Sequence, residues 1–151
     1  MDGVYYDWKG NLLGIEKGAN MKKIFISVPM KGRTEEAIRE SMEKMHKIAE
    51  VLAGEELEVI PSYIEHDPPA ETKHDAVYYL GRSIQMLADA DYFVGIDHPY
   101  EWKGCCIEAD VAERYGIPAI KLQVHLVAPD AYEALRSTMN EGCSIPVCGA
   151  R

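Results

Sequence analysis

The stretch spanning residues 91–121 constrains the fold of this chain more than any other. It contains an apolar, β-rich run at residues 92–96, a polar loop, a short helical pattern and a second β-rich run at residues 118–122. Strand, helix and strand in this order predict a βαβ unit with two parallel strands. Ligands of open α/β sheets bind outside the carboxyl ends of the strands, so we expect a functional site just after Ile96.

The rest of the chain repeats this alternation. Residues 23–27 and 58–60 are predicted strands, and a helix is predicted at residues 129–137. Two further helices are indicated by apolar residues that recur every three or four positions. These stripes are Ile38, Met42, Met45, Ala49 and Leu52 in the first helix, and Val77, Leu80, Ile84 and Leu87 in the second. The pattern predicts a doubly wound α/β domain, Rossmann-like or flavodoxin-like, with a mostly parallel sheet of four or five strands.

Local signals mark the ends of these helices. Thr34 and Asp75 are predicted N-caps, and Gly54 is a predicted helix stop. The intervening residues 61–74 contain three prolines and no periodicity. Long loops in compact domains are often functional, and we expect this loop, Lys31 and Glu108 to surround one cleft.

The first twenty residues form a pattern of their own. Residues 4–15 predict a short β-hairpin around a turn at residues 9–11, and residues 17–20 are typical of a linker. We therefore divide the chain into an extension, residues 1–20, and one α/β domain, residues 21–151. A lone hairpin is marginally stable, so this one should pack on the domain or on a partner subunit. Residues 145–147 are a candidate edge strand.

Charge narrows the classes of partner. The chain has 16 basic and 25 acidic residues, which gives a net charge of -9. Nucleic acids and membrane surfaces are anionic, so this balance argues against a general binder of either. No apolar run approaches the roughly 20 residues of a membrane span, and the N-terminus lacks a signal-peptide pattern. We expect a cytoplasmic protein.

The cysteines indicate no metal site. They lie at positions 105, 106, 143 and 148, without a CxxC pair. The vicinal pair Cys105 and Cys106 has poor geometry for zinc, and no two histidines are spaced as ligands on one helix. We expect reduced thiols that pack as small residues, with neither a metal nor a cofactor.

Glu108 is the carboxylate nearest the expected site. We place it in the first turn of the helix after residue 96, on one face with Val111, Ala112 and Tyr115. A glutamate in a first turn can simply offset the helix dipole or cap free N–H groups. Its position beside the packed face also suits catalysis, and periodicity leaves both interpretations open.

The loop at residues 27–33 joins a strand to a helix. Its backbone N–H groups, with Lys31 and Arg33 beside them, can hold a phosphate at the helix N-terminus. It has neither P-loop spacing nor a GxGxxG pattern, and an ordinary βα turn with solvated basic residues is the alternative. Arg82 is a second candidate anion contact. Aromatic residues that can stack on a planar base, or simply pack, are Tyr78, Tyr79, Tyr100 and Trp102.

Three segments, residues 22–30, 88–95 and 104–108, together resemble the nucleoside 2-deoxyribosyltransferase-like superfamily. The likeness spans about residues 21–122. This superfamily includes 2'-deoxynucleoside 5'-phosphate N-hydrolases and uncharacterised bacterial and phage members. The resemblance implies that Glu108 matches the family's nucleophile, which attacks the anomeric carbon and forms a glycosyl-enzyme intermediate.

The resemblance also implies the rest of the site. Ser83 stands where the family often has Asp, and Trp102 stands where it has Asp or Ser. The group that protonates the leaving base is then sought among Asp97, His98 and Glu101, and we assign Asp97 to catalysis beside Glu108. The implied substrate-binding residues are Ser27, Pro29, Met30, Lys31, Gly32, Arg33, Arg82, Ser83, Trp102 and Gly104.

The sequence therefore predicts a protein that binds a nucleoside or nucleotide and cleaves or transfers at its N-glycosidic bond, as an N-glycosidase or 2-deoxyribosyltransferase. A non-catalytic nucleotide-binding protein, such as a sensor or sequestering protein, is the alternative. An assembly module in which Glu108 only caps a helix is a third interpretation. Members of the superfamily are commonly dimers or larger, which implies a homo-oligomer.

Overall fold

The computed structural model describes residues 2–6, 9, 12–17, 21–62, 64 and 66–140. Strands and helices alternate along the main domain. The strands are β1 (Asp2–Tyr6), β2 (Leu12–Lys17), β3 (Lys22–Ile26), β4 (Leu57–Val59), β5 (Tyr92–Ile96) and β6 (Ala119–Leu122). The helices are α1 (Glu35–Ala53), α2 (Asp75–Leu87), α3 (Lys103–Arg114), α4 (Val124–Val127) and α5 (Pro129–Asn140).

Four strands form a parallel sheet in the order β4-β3-β5-β6. β3 is central, because it pairs with β4 on one side and with β5 on the other. The chain first adds a strand on one side of β3 and then crosses to the other side, which creates a topological switch point between β3 and β5. The predicted doubly wound α/β fold is confirmed.

The two N-terminal strands lie outside this sheet. β1 and β2 pair antiparallel with each other, and β1 lies beside β4, the outer strand of the main sheet. Of the predicted linker at residues 17–20, Lys17 is the last residue of β2, and residues 18–20 fall outside the described residues, as does the candidate edge strand at residues 145–147. None of the helices in the described ranges is long and apolar enough to cross a membrane.

Helices cover both faces of the sheet, and the alternation of side chains along each strand divides the core in two. Ile24 and Ile26 of β3 pack with Val94 of β5 beneath α1 and α4. Phe25 and Phe93 face the opposite side, beneath α2 and α3, where their rings stack with centroids 6.2 Å apart. Full burial of a large apolar side chain contributes about 1.5–3 kcal/mol, so these two clusters fix the sheet between its helices.

The ends of α1 follow the sequence closely. Thr34 is extended and its Oγ1 accepts a hydrogen bond from the backbone N–H of Ala37, as predicted for an N-cap. Gly54 ends the helix in the left-handed region, with φ 74°, as predicted for a helix stop. The predicted stripe is wrong at Leu52, which is exposed, because the buried row continues four residues beyond Ala49 to Ala53.

α2 differs from the prediction at its start. The N-cap is His74 and Asp75 is the first helical residue, so the predicted Asp75 cap is wrong. Val77 is also wrong as a buried residue, since it is 65% exposed. The reason is that the second core cluster lies under the C-terminal half of α2, where Ile84 and Leu87 pack.

Gly95 is the position of β5 where a side chain has no room. A Cβ atom added there would lie 2.8 Å from Cε1 of Phe93 and 3.6 Å from Cβ of Ser27. Phe93 is fully buried, so its ring cannot move without disturbing the second core cluster. We predict that Gly95→Ala lowers the free energy of unfolding by about 1–3 kcal/mol, the usual range for overpacking a core.

Gly81 provides a matched control on α2. A Cβ atom there would have no neighbour within 4 Å among the described residues, and alanine favours a helix over glycine by up to about 1 kcal/mol. Gly81→Ala should therefore raise the free energy of unfolding measured by urea denaturation. Equal stabilities for wild type and Gly95→Ala would contradict the tight packing around Phe93.

Candidate active site

A cleft of about 500 Å³ opens at the carboxyl ends of β3 and β5. Its walls come from the loops that follow β3 and β4, from α2 and from the start of α3. Lys31, Glu108 and two residues of the 61–74 loop, Ser62 and Ile64, line it together, which confirms that they surround one cleft. The predicted site residues that line the cleft are Pro29, Met30, Lys31, Ser83, Trp102, Gly104 and Glu108.

Glu108 is the buried carboxylate of this cleft, with 9% of its surface exposed. Ser27 Oγ donates a hydrogen bond of 2.7 Å to Glu108 Oε1, and Ser83 faces the same carboxyl group closely enough for its hydroxyl to lower the pKa of Glu108. Ser27 follows β3, Ser83 lies on α2 and Glu108 lies on α3. Three separate segments of the chain therefore converge on one carboxyl group.

The environment of Glu108 changes its acidity. Burial raises the pKa of this carboxyl from 4.5 to about 7, and the hydrogen bonds from Ser27 and Ser83 oppose the rise. Burial disfavours the charged form, whereas donors to the carboxylate favour it. Near neutral pH the group is therefore divided between its protonated and ionised forms, which suits proton transfer or nucleophilic attack.

The place of Glu108 in its helix corrects the sequence prediction. α3 begins at Lys103, and the backbone N–H of Cys106 already bonds to the carbonyl of Trp102, so Glu108 lies in the second turn and not the first. Backbone N–H groups of a second turn are bonded within the helix, and Glu108 does not cap it. Of its predicted face, Ala112 is buried, whereas Tyr115 lies beyond the end of α3 and is exposed.

Arg33, a predicted substrate contact, is engaged outside the cleft. Its side chain is only 4% exposed, and its Nε and Nη2 donate to the two carboxylate oxygens of Asp130, each at 2.8 Å. The guanidinium also donates to backbone and side-chain oxygens of its own segment. Gly32 has φ 74° and forms the turn of the loop without lining the cleft. Lys31 is thus the cation of this loop that reaches the cleft.

Two further predicted residues, Asp97 and Arg82, do not line the cleft. Asp97 lies at the end of β5 on the side of β6, where its Oδ2 accepts a hydrogen bond of 3.3 Å from Gln123. Its Oδ1 lies 3.6 Å from Nε2 of His98. Arg82 donates from Nη1 to Gln85 on the same helix. The structure therefore does not bring these two side chains to Glu108.

Glu101, which the sequence suggests only as an alternative to Asp97, does line the cleft. The backbone N–H of Trp102 donates to the carbonyl of Pro99, and His98 adopts φ 54°, so a tight turn precedes α3. A proline inside a polar loop is the signal that predicts such a turn. Other lining residues, which the sequence does not assign to the site, include Lys103 and Cys105.

The thiol of Cys105 belongs to the cleft wall but is not a nucleophile. Burial, followed by the charge of Glu108, raises the pKa of this thiol to about 12, so it stays protonated near pH 7. Both Cys105 and Cys106 are free thiols. Within the described ranges no three His, Cys, Asp or Glu side chains are grouped to hold a metal ion. Cys143 and Cys148 lie outside those ranges.

Comparison of the chain with protein-family models, curated proteins and solved structures gives no match. The chemistry of the cleft is therefore the basis for assigning a function. Its decisive features are a buried carboxylate that accepts a hydrogen bond from Ser27, a second carboxylate at Glu101, and lysines and aromatic rings in the walls.

The raised pKa of Glu108 predicts how stability depends on pH. Between pH 4.5 and about 7 the folded protein keeps a proton that the unfolded chain releases. Wild-type stability therefore falls as pH rises through this window, by about 3 kcal/mol at most. Glu108→Gln has no such titration, so its stability relative to wild type should grow by about 2–3 kcal/mol between pH 5 and pH 8.

Thermal or urea unfolding at pH 5 and pH 8 measures this difference. Glu43→Gln, at an exposed position of α1, is the matched control and should show no comparable change with pH. The same advantage for Glu108→Gln at both pH values would mean that burial does not raise the pKa of Glu108.

Proposed function

We propose that this protein binds a nucleoside or nucleotide in the cleft and cleaves its N-glycosidic bond, with Glu108 as the nucleophile. The observation that carries the proposal is the buried carboxylate of Glu108, which accepts a hydrogen bond from Ser27 and lines the cleft at the strand switch point. Doubly wound sheets bind nucleotide ligands at such points. The resemblance to the nucleoside 2-deoxyribosyltransferase-like superfamily, whose nucleophile matches Glu108, supports the same assignment.

The chemistry requires an anion beneath the sugar. As the bond between the anomeric carbon and the base nitrogen breaks, positive charge develops on the sugar ring. An ionised Glu108 in a site of low polarity stabilises this charge and forms a bond to the anomeric carbon. Hydrogen bonds from Ser27 and Ser83 favour the ionised form, which suits a nucleophile better than a proton donor. Water then hydrolyses the glycosyl ester, or a second base accepts the sugar.

The leaving base takes the bonding electron pair and is a better leaving group when it is protonated. Glu101 is the carboxylate that lines the cleft together with Glu108, whereas Asp97 is held by Gln123. We therefore assign this proton transfer to Glu101 in place of Asp97. A pair of carboxyl groups flanking the scissile bond is the usual equipment of glycoside hydrolysis.

The cleft walls suit the other parts of a nucleotide. Lys31 and Lys103 are exposed at the cleft in a chain whose net charge is -9, and both can attract a phosphate. Tyr79 and Trp102 offer aromatic surface for a planar base. The proposed chemistry needs no cofactor.

A non-catalytic nucleotide-binding protein is the second candidate. It is favoured by the position of Asp97 outside the cleft, which leaves proton transfer to Glu101, a solvent-exposed side chain. Ligand affinity without turnover is the property that distinguishes this candidate. The homo-oligomer and the cytoplasmic location expected from the sequence stay predictions.

Glu108→Gln separates the two candidates. Glutamine keeps the size of the side chain but cannot act as an anionic nucleophile, so release of free base should fall by at least about 1,000-fold while the ligand still binds. The assay follows free base by chromatography after incubation with ribo- and 2'-deoxyribonucleosides and their 5'-monophosphates. Asp110→Asn, at an exposed position of the same helix, is the control and should keep wild-type activity.

A wild-type protein that binds one of these compounds but releases no base between about pH 5 and pH 8 would replace the glycosidase assignment with the binding-protein assignment. Base release that survives in Glu108→Gln would show that another group is the nucleophile.

Ser27→Ala tests the hydrogen bond that holds the nucleophile. Because this bond lowers the pKa of Glu108, its loss should move the acidic limb of the pH profile of kcat/KM to higher pH, by about one pH unit. Ser62→Ala is the control, since Ser62 lines the cleft and its Oγ has no hydrogen-bond partner within the described residues. An unmoved limb in Ser27→Ala would mean that the limb does not report on Glu108.

A further inference from the structure

We propose that Arg33 and Asp130 form a positioning pair that holds residues 29–31 against the cleft, so that ligand affinity depends on a contact made outside the cleft. The inference rests on the proposed function, because Lys31 is assigned there to phosphate binding, and Pro29 and Met30 line the same cleft. It replaces the direct phosphate contact that the sequence suggests for Arg33.

Arg33 and Asp130 form a bidentate ion pair. Nε and Nη2 of Arg33 meet the two carboxylate oxygens of Asp130 in a fork, both at 2.8 Å. Such bidentate pairs are directional as well as strong, and lysine cannot reproduce them. The Arg33 side chain is 4% exposed and that of Asp130 is 45% exposed, so the fork lies at the edge of the buried region.

The same guanidinium reaches the cleft wall. Its Nη1 donates to the carbonyl of Pro29 at 2.9 Å, and Pro29 lines the cleft. The backbone N–H of Arg33 donates to the carbonyl of Met30 at 3.1 Å and closes the turn through Gly32. One side chain therefore connects the wall of the cleft to the start of α5.

A third set of hydrogen bonds joins the Arg33 side chain to α1. Its Nη2 donates to the carbonyl of Ala37 at 3.2 Å and to Oγ of Ser41 at 2.7 Å, both on α1. These acceptors belong to the segment that follows the loop, so apart from those to Asp130 the hydrogen bonds of the guanidinium to described residues all lie within its own stretch of chain. Asp130 is thus the contact that ties the loop to a distant element.

Holding residues 29–31 in the ligand-binding conformation reduces the entropy that binding must remove. If the pair has this role, its loss should change ligand affinity far more than the rate of the chemical step. If the pair only stabilises the fold, its loss should change neither the affinity nor the rate of the folded protein.

The test uses Asp130→Asn and Arg33→Lys in the full chain. In the Glu108→Gln background, calorimetry measures Kd for the 2'-deoxyribonucleoside and ribonucleoside 5'-monophosphates, which are not consumed there. In the wild-type background the same variants give kcat, and amide hydrogen exchange of residues 29–33 follows the loop. Asp110→Asn, which removes the charge from the exposed ion pair in which Arg114 Nε donates to both carboxylate oxygens of Asp110 on α3, is the control.

We expect Asp130→Asn and Arg33→Lys each to raise Kd about tenfold and to speed exchange in residues 29–33, with kcat within about twofold of its wild-type value. The control should leave all three unchanged. Faster exchange with an unchanged Kd would reduce the pair to a structural tie, and a lower kcat at unchanged Kd would equally overturn the inference.

The outcome for the pair is separate from the outcome for the proposed function. A wild type that binds a nucleotide without releasing base removes the glycosidase assignment, but the shift in Kd still decides the role of Arg33. If Asp130→Asn does not fold, Arg33→Lys answers the same question, because it keeps the charge and loses the fork. A wild type that binds none of these nucleotides overturns both.

Discussion

The buried hydrogen bond between Ser27 and Glu108 is the interaction on which the whole site depends. It joins the end of the central strand β3 to the second turn of α3, at the switch point where the order of the strands reverses. Burial opposes ionisation of the carboxyl group, and the hydroxyl groups of Ser27 and Ser83 favour it. The balance of these effects brings the pKa near 7, where a small change in surroundings changes the charge. A carboxylate on the outer surface would have neither a pKa near 7 nor a charge that changes with small changes in its surroundings.

The sheet makes this arrangement possible through the division of its faces. Phe25 and Phe93 fill the face beneath α2 and α3, and Ser27 follows on the same side, where the strand leaves the core. Gly95 on the neighbouring strand has no side chain to compete with Phe93 or Ser27 for that space. The hydroxyl group of Ser27 thus lies directly beyond the apolar packing around Phe25 and Phe93. Close packing beneath the site also limits how far Ser27 can move.

Much of this architecture is readable from the sequence, because it depends on local periodicity. The bounds of β5, the Thr34 cap and the Gly54 stop follow from short-range rules, and the cleft follows from the order of strands and helices. The errors at helix starts, Asp75 and Glu108, are of one residue or one turn, whereas the errors in the buried stripes come from tertiary contacts. Leu52 and Val77 fit their helical stripes but are exposed, because none of the described elements covers them.

The site divides in the same way. Glu108, Lys31 and Trp102 are placed correctly in the cleft, since each is adjacent to a strand end. Arg33 and Asp97 have the right chemistry for the site, but partners distant in sequence, Asp130 and Gln123, hold them elsewhere. Such partners obey no periodicity, and one sequence does not reveal them. The tight turn that brings Glu101 to the cleft is a local feature, and its proline, Pro99, is the residue of the sequence that predicts it.

Because the pKa of Glu108 lies near 7, binding of the proposed ligand would also be a proton-exchange event. At pH 7 a ligand that binds the ionised form of Glu108 causes the protonated molecules to release a proton. A ligand that binds the protonated form causes the ionised molecules to take up a proton. That proton is absorbed or supplied by the buffer, so the heat of binding depends on the ionisation enthalpy of the buffer. Binding enthalpies compared between phosphate and Tris therefore count protons as well as contacts, and their difference reports which form of Glu108 the bound state prefers.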